Sequence, residues 1–319
     1  MAGLDGTAIA ASALEVVRGL AGLSGVRKLV PVLGGHSHRM WWANTDGGGV
    51  LVKIPMRHPE LATVRRHVLM HRSGWLRGAE LAELLHVVEH SSVGRPVLVF
   101  RWLPGIDGRQ AWPILTPAQR RRVATRWGRA VAGLHAVRAS AFTGHPAGAS
   151  WAEVVAARVE RLVIAHSVAG VLDLGTAAAA GRRVCVAAEE VGPLVRPSFT
   201  HLDLHLPNIV VRSGQFAGVL DCEHARWWDP AADAVKLAMW VFEPHLEIKE
   251  PFWDGYHSAG GALQDFARRQ WVSAGLEWLS GLLYWQQVGD TVMFTDYQRR
   301  LAQWLDGEAS TVRLTGSAQ

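Results

Sequence analysis

A chain of 319 residues with 49% apolar and 19% charged side chains can fill a real core, as one large domain or two lobes, which excludes a disordered or fibrous molecule. No run of about 18 uncharged apolar residues occurs, and Asp5, Glu15 and Arg18 stand where a secretory signal would be basic and then apolar; a soluble, cytoplasmic protein with no membrane partner is expected. The net charge of +5 is uneven, with 24 Lys and Arg against 13 Asp and Glu in residues 1–199 and 9 against 15 in residues 200–319; this suits an anionic ligand such as a nucleotide in the first part and a metal or cationic substrate in the second, or is no more than a solvated surface.

Residues 7–22 have helical character. The run LVPVLGGHSHRMWWANTDGGGVLVKIP then reads as three strands joined by glycine turns, an antiparallel meander. A helix over 60–72, a short apolar stretch at 79–88 and an alternating strand at 95–102 follow, until LPGIDG ends the pattern. Pro104 and Gly105 mark a hinge, dividing the chain into lobes at 1–103 and 104–319. Thr116-Pro-Ala-Gln119 and Ser150-Trp-Ala-Glu153 are capping boxes that start helices over 116–138 and 150–168. Further helices are read at 176–191, 231–243, 262–286 and 296–305. Cys185 and Cys222 have neither disulfide nor zinc spacing and read as free thiols.

The stretch THLDLHLPNIVV, residues 200–211, concentrates polar groups where a buried strand would carry none. Pro207 opposes a helix there, because it removes a backbone donor and clashes with the preceding turn, so a loop fits. Downstream, NIVV, a Ser-Gly turn and FAGVLD form a hairpin that would bring Asn208 and Asp221 back toward Asp203. Three oxygen-bearing side chains at strand ends suit a hard cation. An Asp, an Asn five residues on and a further Asp after a hairpin is the kinase arrangement, in which phosphoryl transfer needs charge neutralisation and alignment more than covalent help. The plainer reading is a set of surface polar residues in a loop.

The segment HLDLHLPNIVV…GVLDCEHARWWDPAAD resembles the aminoglycoside phosphotransferase-like small-molecule kinases, whose pattern is H-G-D-x-H-x-x-N, a strand ending in I-D-W/F-E, and G-D-P-x-x-D. The resemblance implies an α+β, bilobal protein-kinase-like fold, with an N-terminal antiparallel sheet lobe and a mainly helical C-terminal lobe. It implies ATP, or GTP in its place, and Mg²⁺. By the same resemblance Asp203 would be the catalytic base, His201 and His205 would orient its loop, Asn208 and Asp221 would hold Mg²⁺, and Asp229 and Asp233 would brace the loop. The pattern departs at Leu202, where the family has Gly, and at Cys222, where it has an aromatic residue.

In the first lobe, Leu33-Gly-Gly-His-Ser-His38 resembles the family's G-G-x-S-N loop over the ATP phosphates, assigning Gly34, Gly35 and Ser37 to the nucleotide, although a Gly-Gly turn is also an ordinary hairpin. Lys53 in VLVKIP is one of four lysines, with Lys28, Lys236 and Lys249, and stands where the family has its phosphate lysine; an alternating strand can also carry a Lys with no role. VLVFRWLPG resembles the hinge strand, where backbone groups from Phe100 to Trp102 would meet adenine. Kinases orient the lysine with a Glu on the following helix. Here Glu60, Glu80 or a replacement all stay open.

Trp271, Trp278 and Trp285 recur at steps of seven, first of all a core stripe, though some C-terminal aromatics could stack on an acceptor. Glu243, Glu247, Glu250 and Asp254 would suit amines on that acceptor or form a solvated face. A eukaryotic-type protein kinase would show Arg before Asp203, D-F-G at Asp221 and A-P-E, and none is present. No nucleic-acid motif occurs. The expectation is an ATP- and Mg²⁺-dependent O-phosphotransferase acting on a hydroxyl of a small molecule, an antibiotic. The alternatives are a kinase of a sugar, amino alcohol or nucleoside, or a kinase-like binding protein without turnover; oligomeric state does not follow.

Overall fold

The computed structural model describes residues 6–32, 37–76 and 80–307. The first part runs α1 (Gly6–Arg18), β1 (Val30–Pro31), β2 (His38–Thr45), β3 (Gly48–Pro55), α2 (Leu61–Leu76), β4 (Leu84–Val88) and β5 (Val97–Arg101). Its strands form one antiparallel sheet in the order β1-β2-β3-β5-β4, with Val52 opposite Trp41 on one side and Val99 on the other. The apolar stretch at 79–88 supplies β4, an edge strand.

Period-two alternation decides the two faces of this sheet. Val50, Val52 and Ile54 of β3 and Val97 and Val99 of β5 join Ile9, Ala13 and Val17 of α1 in one core. The residues between them, Leu51, Leu98 and Phe100, pack with Val64 and Val68 of α2 in another. Lys53 has the parity of Leu51, so the same alternation that fills the core buries an ammonium on the α2 side.

The chain continues through β6 (Ile106–Asp107), α3 (Gly108–Ala111), α4 (Pro117–His135), α5 (Trp151–Ala169), α6 (Leu174–Val191), β7 (Ser198–Thr200), β8 (Ile209–Arg212), β9 (Gln215–Val219) and β10 (Arg226–Trp228). It ends with α7 (Asp233–Leu237), α8 (Lys249–Ser258), α9 (Phe266–Val288) and α10 (Thr291–Asp306). Both capping boxes form, Thr116 with Gln119 and Ser150 with Glu153. The run expected at 231–243 is helical but changes character, α7 passing into a π-turn over Ala238–Phe242.

Two cores hold this part together. One gathers α4, α8 and the segment around residues 199–211; the other gathers α5, α6, α9 and α10. The sequence reading missed α8, which has no side-chain cap. It crosses α4 backbone to backbone: a Cβ at Gly128 would come within 2.0 Å of the Phe252 carbonyl oxygen, and one at Gly255 within 2.0 Å of that of Thr125. Trp271 and Trp278 are buried, with Trp271 stacked on Trp304 at 4.1 Å, so the tryptophan repeat is a core stripe. The architecture is the expected α+β one, an antiparallel sheet lobe followed by a mainly helical lobe. No described helix is long and apolar enough to cross a membrane.

Candidate active site

The polar stretch leaves β7, turns through a short 3-10 segment at Leu206–Asn208 and enters β8. Asp233, at the start of α7, sets its course by accepting from the backbone N–H of His201 (2.9 Å) and of Leu202 (2.5 Å). His135 meets the same carboxylate through Nε2 at 3.0 Å and has the Tyr256 hydroxyl on Nδ1 at 3.0 Å. Leu202 has φ 64°, the left-handed region that glycine enters without steric cost, and the two bonds to Asp233 hold a leucine there. His201 directs Nε2 to the Leu220 carbonyl at 2.8 Å, tying the loop to the residue before Asp221. Burial lowers its pKa, leaving a neutral ring. Asp229 does not serve this loop: Arg269 of α9 closes on it at 3.2 Å through Nε and 2.5 Å through Nη2.

Asp203 is fixed from three sides. Lys236 donates to Oδ1 at 2.8 Å, the Asn208 amide donates to Oδ2 at 2.8 Å, and His205 Nε2 lies 3.4 Å from Oδ2. Burial alone would raise the Asp203 pKa, but Lys236 and His205 outweigh it and hold the carboxyl well below the ordinary range. Burial works against the Lys236 charge too, and Glu277 and Asp203 nonetheless raise its pKa. A hydroxyl brought here meets a carboxylate that stays charged.

Asn208 also gives its amide to the Asp203 carbonyl at 2.8 Å, which commits Nδ2 and leaves Oδ1 for a ligand. The β8–β9 hairpin returns where Leu220 N–H donates to the Asn208 carbonyl at 2.8 Å, delivering Asp221 beside the loop. Asp221 adopts φ 59°, ψ 69°, a conformation that a non-glycine residue holds only when its surroundings enforce it. Across the cleft Lys53 donates to Asp221 Oδ1 at 2.7 Å. Burial would raise this carboxyl as well, yet Lys53, His38 and His67 keep it well below its usual value.

The lysine's carboxylate partner is therefore Asp221, and neither glutamate. Glu60 is exposed at the foot of α2, and Glu80 pairs with Arg126. From α2, two histidines, and no acid, come near Lys53. His67 stacks on Phe100 at 6.2 Å, and His71 Nε2 donates to the Ala82 carbonyl at 2.5 Å. Burial, with Lys53 second, holds His67 well below the ordinary imidazole value. Burial also brings His71 down to about 4.

The donor set fits a hard cation. Asn208 offers a carboxamide oxygen and Asp221 its second carboxylate oxygen; one ligand atom each of His38, Asp221 and Glu223 lies within 4.8 Å of the others. His38 and Glu223 already touch, Nε2 to Oε2 at 3.1 Å. Gly34 and Gly35 lie outside the described residues. Ser37 is described, and its carbonyl accepts from the N–H of Met56 at 2.8 Å and Arg57 at 3.2 Å, closing the end of β3. At the hinge strand the Phe100 ring packs under α2, while the N–H groups of Arg101 and Trp102 bond Glu83 (2.8 Å) and Gly49 (2.9 Å). A base docking there would have to find other backbone groups or displace those bonds.

Sequence reasoning passed over Lys236, naming it only as one of four lysines. Its signal is its place three residues after Asp233, on the turn that braces the loop. Two of the acids proposed for an amine-bearing acceptor have partners on the protein: Glu243 pairs with Arg300 at 2.7 Å and Glu247 lies 3.7 Å from Arg120. None of Glu243, Glu247, Glu250 and Asp254 lines the cavity of about 180 Å³ that opens beside Leu202 and Lys236.

Comparisons with known proteins agree with this geometry. The sequence model of the Phosphotransferase enzyme family matches residues 28–272. No curated protein matches the chain. Among solved structures, aminoglycoside phosphotransferase APH(4)-Ia in ternary complex with AMP-PNP and hygromycin B superposes with a TM-score of 0.66 at 16% identity, over 90% of this chain and 96% of that one. The gentamicin complex of APH(2")-IIa gives 0.65 at 15%, over 97% and 98%. A Thermobifida fusca protein, provisionally titled fructosamine-3-kinase, gives 0.65 at 18%, over 95% and 100%. At these identities the likeness establishes the fold.

Proposed function

Because the chain belongs to the phosphotransferase enzyme family, we propose that it moves the γ-phosphoryl group of ATP, with Mg²⁺, onto a hydroxyl of a small molecule, in the first place an antibiotic. The observation that carries this reading is the junction of four groups in one cleft, Lys53 on Asp221 at 2.7 Å and Asn208 on Asp203 at 2.8 Å. The neighbours solved with AMP-PNP and with aminoglycosides support a nucleotide and a small acceptor. Residues 1–103 would form the nucleotide lobe and residues 104–319 the catalytic and acceptor lobe.

In this mechanism Lys53 binds phosphate oxygens, and GTP would present the same ones. Mg²⁺, when bound, neutralises phosphate charge; Asn208 Oδ1 and Asp221 would hold it, with Glu223 beside them. Asp203 accepts a hydrogen bond from the acceptor hydroxyl and so aligns it. The acceptor oxygen bonds the γ-phosphorus as the bond to the bridging oxygen breaks, ADP departs, and the hydroxyl proton passes to Asp203. Since Lys236 and His205 keep Asp203 ionised, the proton moves late and alignment is its larger contribution.

A second reading, a kinase of a small metabolite, is favoured by the cavity of about 180 Å³, small for an antibiotic, and by the likeness to the Thermobifida fusca protein. The test is turnover with Mg²⁺ and ATP against hydroxylated antibiotics, sugars and nucleosides, with product masses recorded. A gain of about 80 Da, one phosphoryl group, with the wild type and not with Asp203→Ala is expected. A folded protein that binds no nucleotide overturns the assignment.

A further inference from the structure

We propose that the cavity beside Leu202 and Lys236 receives an acceptor that carries an oxyanion, a carboxylate or a phosphate ester, gripped by Arg158 and Arg226. That this anion belongs to the phosphoryl acceptor rests on the kinase reading above; the anion site itself does not.

The cavity of about 180 Å³ lies against Leu202 of the catalytic loop and against Lys236, whose ammonium holds the Asp203 carboxylate at 2.8 Å. Its walls bring together Arg158 from α5, Arg226 from β10 and Lys236 from α7, with Glu277 of α9 as the opposing carboxylate. Lys236 is committed to Asp203 at 2.8 Å, and Glu277, which accepts from the Tyr297 hydroxyl at 3.0 Å, offsets part of the charge on Lys236 and Arg158 without an ion-pair contact to either. Arg158 and Arg226 remain. Among the described residues neither has a carboxylate in salt-bridge range, and the Arg226 Nε is buried without any partner. Burial and then the guanidiniums of Arg66, Arg158 and Arg161 push Arg226 down to about 10, so its neighbours are cations too. Ser273, also on the wall and only 4% exposed, holds a buried hydroxyl with no partner.

Both guanidiniums are half-buried, and burying the Arg226 Nε and the Ser273 hydroxyl without partners costs free energy that a hydrogen-bond acceptor offsets. Like-charged guanidiniums add their mutual repulsion. An oxyanion suits the excess of Arg158, Arg226 and Lys236 over the single carboxylate Glu277 on these walls: its oxygens match the planar fork of a guanidinium, and it accepts from a serine hydroxyl. A polycationic acceptor would meet repulsion at the same walls. The volume is below the roughly 300–1,000 Å³ of sites for drug-sized ligands, which fits a compact hydroxy acid or sugar phosphate.

Binding to the full-length protein, measured by calorimetry, tests the proposal. The probes are inorganic phosphate, gentamicin, and the matched pairs gluconate and sorbitol, glycerate and glycerol, and glucose 6-phosphate and glucose. We expect the anion of at least one pair to bind about tenfold or more tighter than its neutral partner. The preferred pair tells a carboxylate from a phosphate ester. Arg158→Gln and Arg226→Gln, each checked by circular dichroism, should abolish the preference; Arg158 lies on a long helix and serves if the strand variant does not fold. Equal affinity or no binding within every pair, a preference that survives both substitutions, or gentamicin binding tighter than any anion overturns the proposal. Anion preference without phosphoryl transfer would instead sink the kinase reading alone, while transfer to a neutral or cationic acceptor without anion preference would sink this inference alone.

Discussion

The ammonium of Lys236 lies 2.8 Å from Oδ1 of Asp203, and the Asn208 amide holds the other carboxylate oxygen, so the proposed acceptor-orienting group cannot swing freely. Such fixed alignment acts on the reaction step more than on ligand affinity. Lys236→Met should lower kcat by about a hundredfold while nucleotide affinity stays within about threefold. Steady-state kinetics with a parallel nucleotide titration decides it, and an equal loss in both would show that Lys236 acts on binding.

Lys53 finds its carboxylate in Asp221, not on α2. Lys53→Met should therefore weaken nucleotide binding by about tenfold or more, the scale of a lost charge-assisted contact, whereas Glu60→Gln and Glu80→Gln should each change it by less than about threefold. A glutamate variant as damaging as the lysine variant would return the role to that acid.

His71 is buried, neutral and shifted down to about 4 from 6.5. The unfolded chain takes up the proton first as the pH falls. Its contribution to stability is thus complete above about 6.5, declines between 6.5 and 4, and levels off below, with a limiting slope of about 1.4 kcal/mol per pH unit. His71→Gln keeps an N–H for the Ala82 carbonyl and cannot titrate. Urea denaturation at several pH values in that window should give a shallower dependence for the variant; an unchanged slope refutes the assignment.

The Asp229–Arg269 pair is 0% and 3% exposed and joins the segment between β10 and α7 to α9. Asp229→Ala strands a buried guanidinium and should cost about 3–5 kcal/mol, while adding Arg269→Met should recover part of that loss. Chemical denaturation of the single and double variants measures both, and a single-variant cost under about 1 kcal/mol would contradict the burial argument.

What the sequence disclosed was local or periodic. The capping boxes at Thr116 and Ser150 announced α4 and α5 because each closes within four residues. Alternation in VLVKIP separated Lys53 from the valine face, and the hairpin spacing returned Asp221 to the loop one residue past the Leu220 bond to Asn208. Relations made by tertiary packing were hidden. Helix α8 has no side-chain cap and is anchored through glycine contacts with α4, which no window around residue 255 contains. The Lys53–Asp221 bond spans 168 residues. Lys236 reaches Asp203 only because α7 folds back under the loop. Leu202 was visible as a departure from glycine; its left-handed backbone was not.

The Lys53–Asp221 bond gives the cleft a logic of its own. A cation arriving alone would draw Asp221 away and strand an ammonium, and a phosphate arriving alone would draw Lys53 away and strand a carboxylate. On the proposed assignment, a nucleotide that brings its metal would offer each residue a replacement in the same event, so the ion pair would act as an AND gate that responds when both inputs are present.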